Sequence, residues 1–228
     1  IVRSLVGSEM CIRDSNITMQ ISNIVEFKLS KDLVEYDSAI EFMNTHINKM
    51  KKNNAKGLLW FLEHNSIFTA GTSAKEIDQN IKDKNLIRYV GRGGQWTWHG
   101  PGQRVVYIML DLKQREKDIK KYINNLEEWI ILTLNFFNID AIVKEGNPGV
   151  WIKKNNAFLK IASIGVRISH WITWHGISIN VNPNLKPFEE IVPCGVQNGY
   201  VTSIKKEGKN ISLDQFDKKL KENFYSFF

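Results

Sequence analysis

The stretch Arg92 to Gln103, RGGQWTWHGPGQ, restricts the possible fold more than any other part of the chain. Gly93, Gly94, Gly100 and Gly102 stand beside Pro101, with Gln95, Trp96, Thr97, Trp98 and His99 between them. Glycine reaches backbone conformations closed to other residues, and proline stiffens one end of a turn. The polar–aromatic alternation from Gln95 to Trp98 has the period of a strand. The pattern predicts a tight turn, a short strand and a second tight turn, lined by aromatic rings and one imidazole. A Gly-rich hairpin without chemistry has the same pattern, so this stretch alone does not decide function.

The flanking sequence alternates strand and helix patterns. Ile21 to Leu29 reads as a strand. Leu33 to about Lys51 reads as a helix, with Asp32 as its cap and Leu33, Tyr36, Ile40, Met43 and Ile47 as its apolar stripe. The unbroken apolar run Leu58–Leu62 predicts a buried strand, and Ile67–Thr69 a short one. Ala74–Lys84 reads as a loop or short helix. Val105–Leu110 is a second apolar strand, and Asp118–Phe137 has the 3.6-residue period of a long amphipathic helix. Further strands are expected at Ala141–Val143, Val150–Ile152, Leu159–Ile168 and Ile172–Val181, separated by Gly, Asn and Pro turns. A last helix begins at Ser212, and its Lys218–Lys221 stretch reads as a solvated face. No repeat or long linker divides the chain. The expected class is α/β, a single domain with a mixed sheet and packed helices.

Length and composition fit that class: 228 residues, 43% of them hydrophobic, suit one large domain. No apolar run reaches about 18 residues, so no membrane span is expected. The net charge of +7 favours an acidic partner, whether nucleic acid, anionic membrane surface or protein. Cys11 and Cys194 are the two cysteines, too few for a disulfide framework, and a reducing, cytoplasmic setting is expected. Residues 1–18 have no clear period and look foreign to the rest of the chain, as read-through in an assembled sequence would. Met19 is a plausible start.

Two residues stand out chemically. Cys194 lies between Pro193 and Gly195, where a turn would present its thiol at an edge; a lone cysteine is otherwise a small buried hydrophobe. Lys160 lies in the apolar FLKIASIGVRI, where a lysine is costly unless it is paired, loses its proton, or snorkels from an edge strand. Lysine beside a thiol favours the thiolate by its charge or takes the proton as a base. Lys154, by contrast, sits in a polar turn. The tetrapeptide Thr97–Gly100, T-W-H-G, recurs at Thr173–Gly176 and brings His99 and His175 into view. His64 reads as a hydrogen-bonding strand end. Ligand spacing for a structural zinc is lacking.

These segments together carry a resemblance. RGGQWTWHGPGQ, KIASIGVRI, WHGISINVN and IVPCGVQNGYVTSI, with LLWFLEHNSIFTAG before them, resemble the lipoyl(octanoyl) transferases over Leu33 to Ile204. The resemblance implies the fold shared by biotin and lipoate protein ligases and a catalytic domain over residues 19–228. It implies a two-step acyl transfer without a cofactor. Cys194 would take an octanoyl group from acyl carrier protein as a thioester, activated by Lys160. A lysine on a lipoyl domain of a 2-oxoacid dehydrogenase complex, or of the glycine cleavage protein, would then receive it. Acyl binding would fall on Arg92, Gly93, Gly94, Gln95, Trp96, Thr97, Trp98 and His99, on Ser163, Ile164 and Gly165, and on Gly176, Ile177 and Ser178. Trp96, Trp98 and Ser178 depart from the residues usual in that family, which bears on the shape of the acyl pocket.

Two other functions compete. An ATP-dependent lipoate ligase of the same fold needs no nucleophilic cysteine; the PCG turn and HGPGQ favour the transferase. A basic nucleic-acid-binding module would interleave lysines with stacking aromatics, whereas the lysines here are spread along the chain.

Overall fold

A computed structural model describes residues 25–155, 157–192 and 200–228. Its strands are β1 (Val25–Leu29), β2 (Gly57–Leu62), β3 (Ile67–Ala70), β4 (Ile87–Tyr89), β5 (Trp96–His99), β6 (Gln103–Met109), β7 (Ile142–Val143), β8 (Val150–Lys154), β9 (Ala157–Ser169), β10 (Ile172–Asn180) and β11 (Tyr200–Val201). The α-helices are α1 (Tyr36–Lys51), α2 (Ile119–Phe136) and α3 (Leu213–Phe224). The large sheet runs β1-β2-β6-β10-β9-β8-β7, with β11 laid along β9 off that path. β1–β2 and β11–β9 are parallel and the other large-sheet pairings antiparallel, so the sheet is mixed. A small sheet has the order β4-β3-β5.

The unbroken apolar run of β2 follows from cover on both faces. Leu58, Trp60 and Leu62 pack with Val105, Tyr107 and Met109 of β6 against Ala39, Met43 and Ile47 of α1. Leu59 and Phe61 point the other way, into the larger core built with α2 and α3. Strands buried on both faces lose the alternation of half-buried ones. A third cluster, around Phe68, Trp96, Trp98, Phe188 and Ile191, backs the small sheet.

Caps account for two helix starts and correct a third. Asp118 accepts the Lys121 amide at 3.0 Å, and Ser212 forms a full capping box with Gln215. Asp32 caps nothing, for α1 begins three residues beyond Leu33, at Tyr36, and Leu33 is exposed. The cause is the preceding segment: the Val34 amide binds Glu63 O, and the Val34 carbonyl takes the His64 Nδ1 proton at 2.6 Å. That pairing holds 34 in a bridge, not in a helical turn.

Candidate active site

Lys160 is buried, and its strand is not an edge. β9 is long enough to hold β8 on one side while β10 and then β11 pair along the other, with Trp151 and Val201 as the register partners of Lys160. The snorkelling reading is therefore replaced by pairing inside the protein. Lys160 Nζ donates to Pro148 O at 2.9 Å and lies 4.8 Å from the centroid of the Trp151 ring. Lys154, expected in a polar turn, ends β8 and forms an ion pair of 2.8 Å with Glu207. Cys194 and the suspect segment 1–18 lie outside the described residues.

A narrow cleft, partly open to solvent, forms where the small sheet meets the middle of the large one. Three separate segments line it: Arg92, Gly94, Gln95, Trp96, Thr97 and His99; Ser163, Ile164 and Gly165; and Gly176, Ile177 and Ser178. β9 and β10 bring the last two together by register, since Gly165 pairs with Gly176 and Ile164 with Ile177. A Cβ on Gly176 would stand 2.1 Å from Val106 O, so glycine lets β10 close on β6 there. Gly93 and Trp98 do not line the cleft. The Gly93 amide ties the turn to Val166 O, and Trp98 stacks edge-on to Phe188 with its Nε1 donating to Ser66 Oγ.

Tyr36, Val105, Tyr107 and His175 also line the cleft, although the family resemblance assigns them no binding role. Tyr107 had a signal: a phenol inside a fully apolar strand needs a partner for its hydroxyl. The partner is His64. A carbonyl only accepts, so His64 Nδ1 carries the proton given to Val34 O, and Nε2 accepts from Tyr107 Oη at 2.7 Å. His64 is thus the hydrogen-bonding strand end that its position suggested. The two halves of the T-W-H-G repeat converge as well: His99 from β5 and His175 from β10 face the same cleft. His175 reaches it with φ of 58° inside a strand, a left-handed turn of the backbone that is strained for a non-glycine residue.

Among the described residues that line it, the cleft is held neutral around the Arg92 guanidinium. Burial lowers His99 to about 3, with His64 and the Arg92 charge adding to the effect. Burial likewise lowers His175 to about 3, helped by Arg92 and Arg167, and lowers His64. Tyr36 is pushed up to about 12 and Tyr107 well above the usual phenol value, both mainly by burial. Arg92 is a brace as well as a wall. Its Nη2 donates to Thr69 O, Thr69 Oγ1 and Gln95 O, and its Nη1 to Gly93 O, so it clamps the glycine turn to β3. Of the turn amides, those of Gly93 and Gly102 are already spent on Val166 O and Glu63 Oε1.

Such a mixed sheet, with a small sheet folded over its centre, defines the fold class of the lipoate protein ligases. An archaeal bipartite lipoate protein ligase from Thermoplasma acidophilum superposes with a TM-score of 0.67 at 16% identity, over 89% of this chain and 84% of that one. The family model for the lipoyl protein ligase A/B catalytic domain matches residues 35–225. An octanoyltransferase from Bartonella quintana is 45% identical over 90% of this chain and 87% of its own length. One from a Wolbachia of Brugia malayi is 44% identical over 90% of this chain and 100% of its own length. The chain belongs to the lipoyl protein ligase A/B catalytic-domain family and, within it, to the octanoyltransferases. Among the described residues, no helix is long and apolar enough to cross a membrane.

Proposed function

We propose that this chain moves an octanoyl group from acyl carrier protein to the ε-amine of a lipoyl-domain lysine, through a thioester on Cys194. The thiolate of Cys194 attacks the carrier thioester, the bond from carbonyl to carrier sulfur breaks, and the carrier leaves as its thiol by taking up the proton that Cys194 gave to Lys160. The acceptor amine then attacks the acyl-enzyme, an amide forms, and the Cys194 thiol regains its proton. A thioester keeps the acyl group activated between the two steps, so ATP has no part. Acceptors are lipoyl domains of 2-oxoacid dehydrogenase complexes and of the glycine cleavage protein, and the reaction is set in the cytoplasm. Carrier and acceptor are acidic partners suited to a chain of net charge +7.

The observation that supports this reading most is the meeting of the three acyl-binding segments around one cleft, with Lys160 buried three positions before Ser163 on the same strand. Ile164, Ile177, Trp96 and Val105 give the cleft apolar wall for an aliphatic tail. The test is intact-mass spectrometry after mixing with octanoyl carrier protein and no ATP. The wild type gains one octanoyl group and Cys194→Ser gains none. An octanoyl adduct on Cys194→Ser, or acylation that requires ATP, rejects the proposal.

A further inference from the structure

The buried stripe of α2 contains Tyr122, Leu126, Trp129, Ile130 and Leu134, and among them one carboxylate, Glu127. Glu127 is 4% exposed. A carboxylate in that setting is costly without a hydrogen-bond partner. Its partner is the Gly149 amide, which donates to Glu127 Oε1 at 2.9 Å. Lys160 Nζ donates to Pro148 O at 2.9 Å. The Pro148 carbonyl and the Gly149 N–H belong to one peptide unit, and in a trans peptide they point in opposite directions. The order in space is therefore Glu127 carboxylate, peptide N–H, peptide C=O, Lys160 ammonium. The peptide dipole is favourable at both ends, its positive end on the carboxylate and its negative end on the ammonium.

The turn is shaped around the lysine. Gly149 has φ of 122°, and a Cβ there would stand 2.6 Å from Ala162 O and 2.7 Å from Lys160 Cε. Trp151 closes another side of the ammonium, and its Nε1 donates to Asn147 O in the same turn. Charged groups nearby among the described residues include Glu128, next to Glu127 on α2, and Lys144, whose Nζ lies 5.1 Å from the Trp151 centroid. Burial leaves the Glu127 carboxyl raised above the ordinary value, and the Gly149 amide and the Lys160 charge offset part of that rise.

We propose that Glu127 is a positioning residue for Lys160: it fixes the Pro148–Gly149 peptide that holds the ammonium, and it supplies the negative charge behind it. This rests on the reading of Lys160 as the group that activates Cys194. To take the thiol's proton Lys160 must start as the neutral amine; the S–H bond breaks, an N–H bond forms, Nζ becomes the ammonium and the proton count of the pair is unchanged. What changes is that a positive charge appears on Nζ, at the carbonyl end of a peptide whose other end faces a carboxylate. The arrangement favours the thiolate–ammonium state over the neutral one, as the carboxylate of a catalytic triad favours the imidazolium.

Single-turnover acylation by octanoyl carrier protein, followed by intact mass across the alkaline range, tests this in the wild type, Glu127→Gln, Glu127→Ala and Lys160→Ala. Glutamine keeps an oxygen for the Gly149 amide and removes only the charge. Glu127→Gln is expected to acylate about tenfold more slowly, with its alkaline limb about one pH unit lower. Glu127→Ala loses the brace as well and is slower still. A Glu127→Gln profile that superimposes on the wild type, or one that is slower with an unshifted limb, overturns the inference. Circular dichroism on Glu127→Gln shows that the comparison is made on folded protein. If Lys160→Ala acylates like the wild type, the role of Lys160 itself is wrong. If Lys160→Ala fails while Glu127→Gln is normal, only Glu127 is misassigned.

Discussion

His99 Nδ1 stands 2.7 Å from Gln103 Oε1, and this contact fixes which ring nitrogen meets the cleft. The assignment runs back from a backbone carbonyl. Thr202 O only accepts, so Asn180 donates to it through Nδ2 and turns Oδ1 to Gln103. Gln103 Nε2 donates to Asn180 Oδ1 and to Trp98 O, which leaves Gln103 Oε1 as an acceptor. His99 therefore carries its proton on Nδ1, and Nε2 is left as an acceptor in a neutral ring. The Thr202 amide in turn binds Lys160 O, so the chain of bonds joins the cleft histidine to the strand of the buried lysine.

Replacing Gln103 by leucine breaks this chain in the middle. Trp98 O, Asn180 Oδ1 and the His99 ring each lose a buried partner. Gln103→Leu is expected to lose about 3 kcal/mol of stability, since each stranded buried group costs about 1–3 kcal/mol and some find water. Chemical denaturation measures that loss. Nitrogen-15 shifts of His99 are expected to change from a single Nδ1–H tautomer to a mixture. Unchanged shifts in the variant would mean that something else orients the ring.

The buried imidazoles set a pH dependence of stability. His99 and His175 titrate near 3 when folded and near the ordinary value of 6.5 when unfolded. Between those values the unfolded chain binds more protons, so stability rises with pH. Their contribution is complete above 6.5 and is lost as pH falls toward 3, at about 1.4 kcal/mol per pH unit for each ring. The wild type should thus lose stability steeply on acidification below pH 6.5, and His99→Gln should show a slope shallower by one proton. Parallel slopes from denaturation curves at pH 5 to 6.5 would contradict this.

Much of the fold was legible because its signals were local. The Leu58–Leu62 run, the α2 period and the start of the last helix at Ser212 all lie within a few residues of what they specify. What was not legible depended on distant partners. β11 is two residues long and owes its place to β9, so no periodicity marks it. An edge-strand reading of Lys160 stayed open beside the paired one because sequence does not show that β8, β10 and β11 all pair with β9. Glu127 was hidden beside Leu126 in an apolar period that continues past it, and its partner at Gly149 is 22 positions away. The glycine stretch was readable as a close-approach turn. Nothing local showed that its Gly93 amide would bind Val166, or that Arg92 would act as its clamp.

Gly176 is the place where a single methyl group tests the close approach of strands at the cleft. A Cβ would meet Val106 O, a backbone atom that cannot swing aside. Gly176→Ala is expected to cost about 2–3 kcal/mol by overpacking, and to impair acylation further by moving His175 and Ile177. Gly146→Ala is the control, because nothing lies within 4 Å of its Cβ position, although its φ of 72° carries a smaller strain of its own. Equal thermal stability in the two variants would show that β10 and β6 part at no cost.

Lys160 gives the sharpest separation of mechanisms. A lysine in an apolar strand is costly, yet here Nζ satisfies Pro148 O and the stem fills the space under Gly149. Lys160→Ala should therefore cost about 1–3 kcal/mol of stability while leaving the protein folded. In that variant the pH at which the Cys194 thiol becomes reactive toward iodoacetamide should rise toward the free-thiol value of about 8.5. Lys160→Arg keeps the charge but cannot accept a proton at any working pH. Loss of octanoyl transfer in both variants identifies a base, and transfer retained in Lys160→Arg identifies a counter-charge. If Lys160→Ala changes neither the thiol's pH dependence nor transfer, the lysine has no part in activation. His99 would then be the next group to replace, because its Nε2 is the fixed acceptor in the cleft.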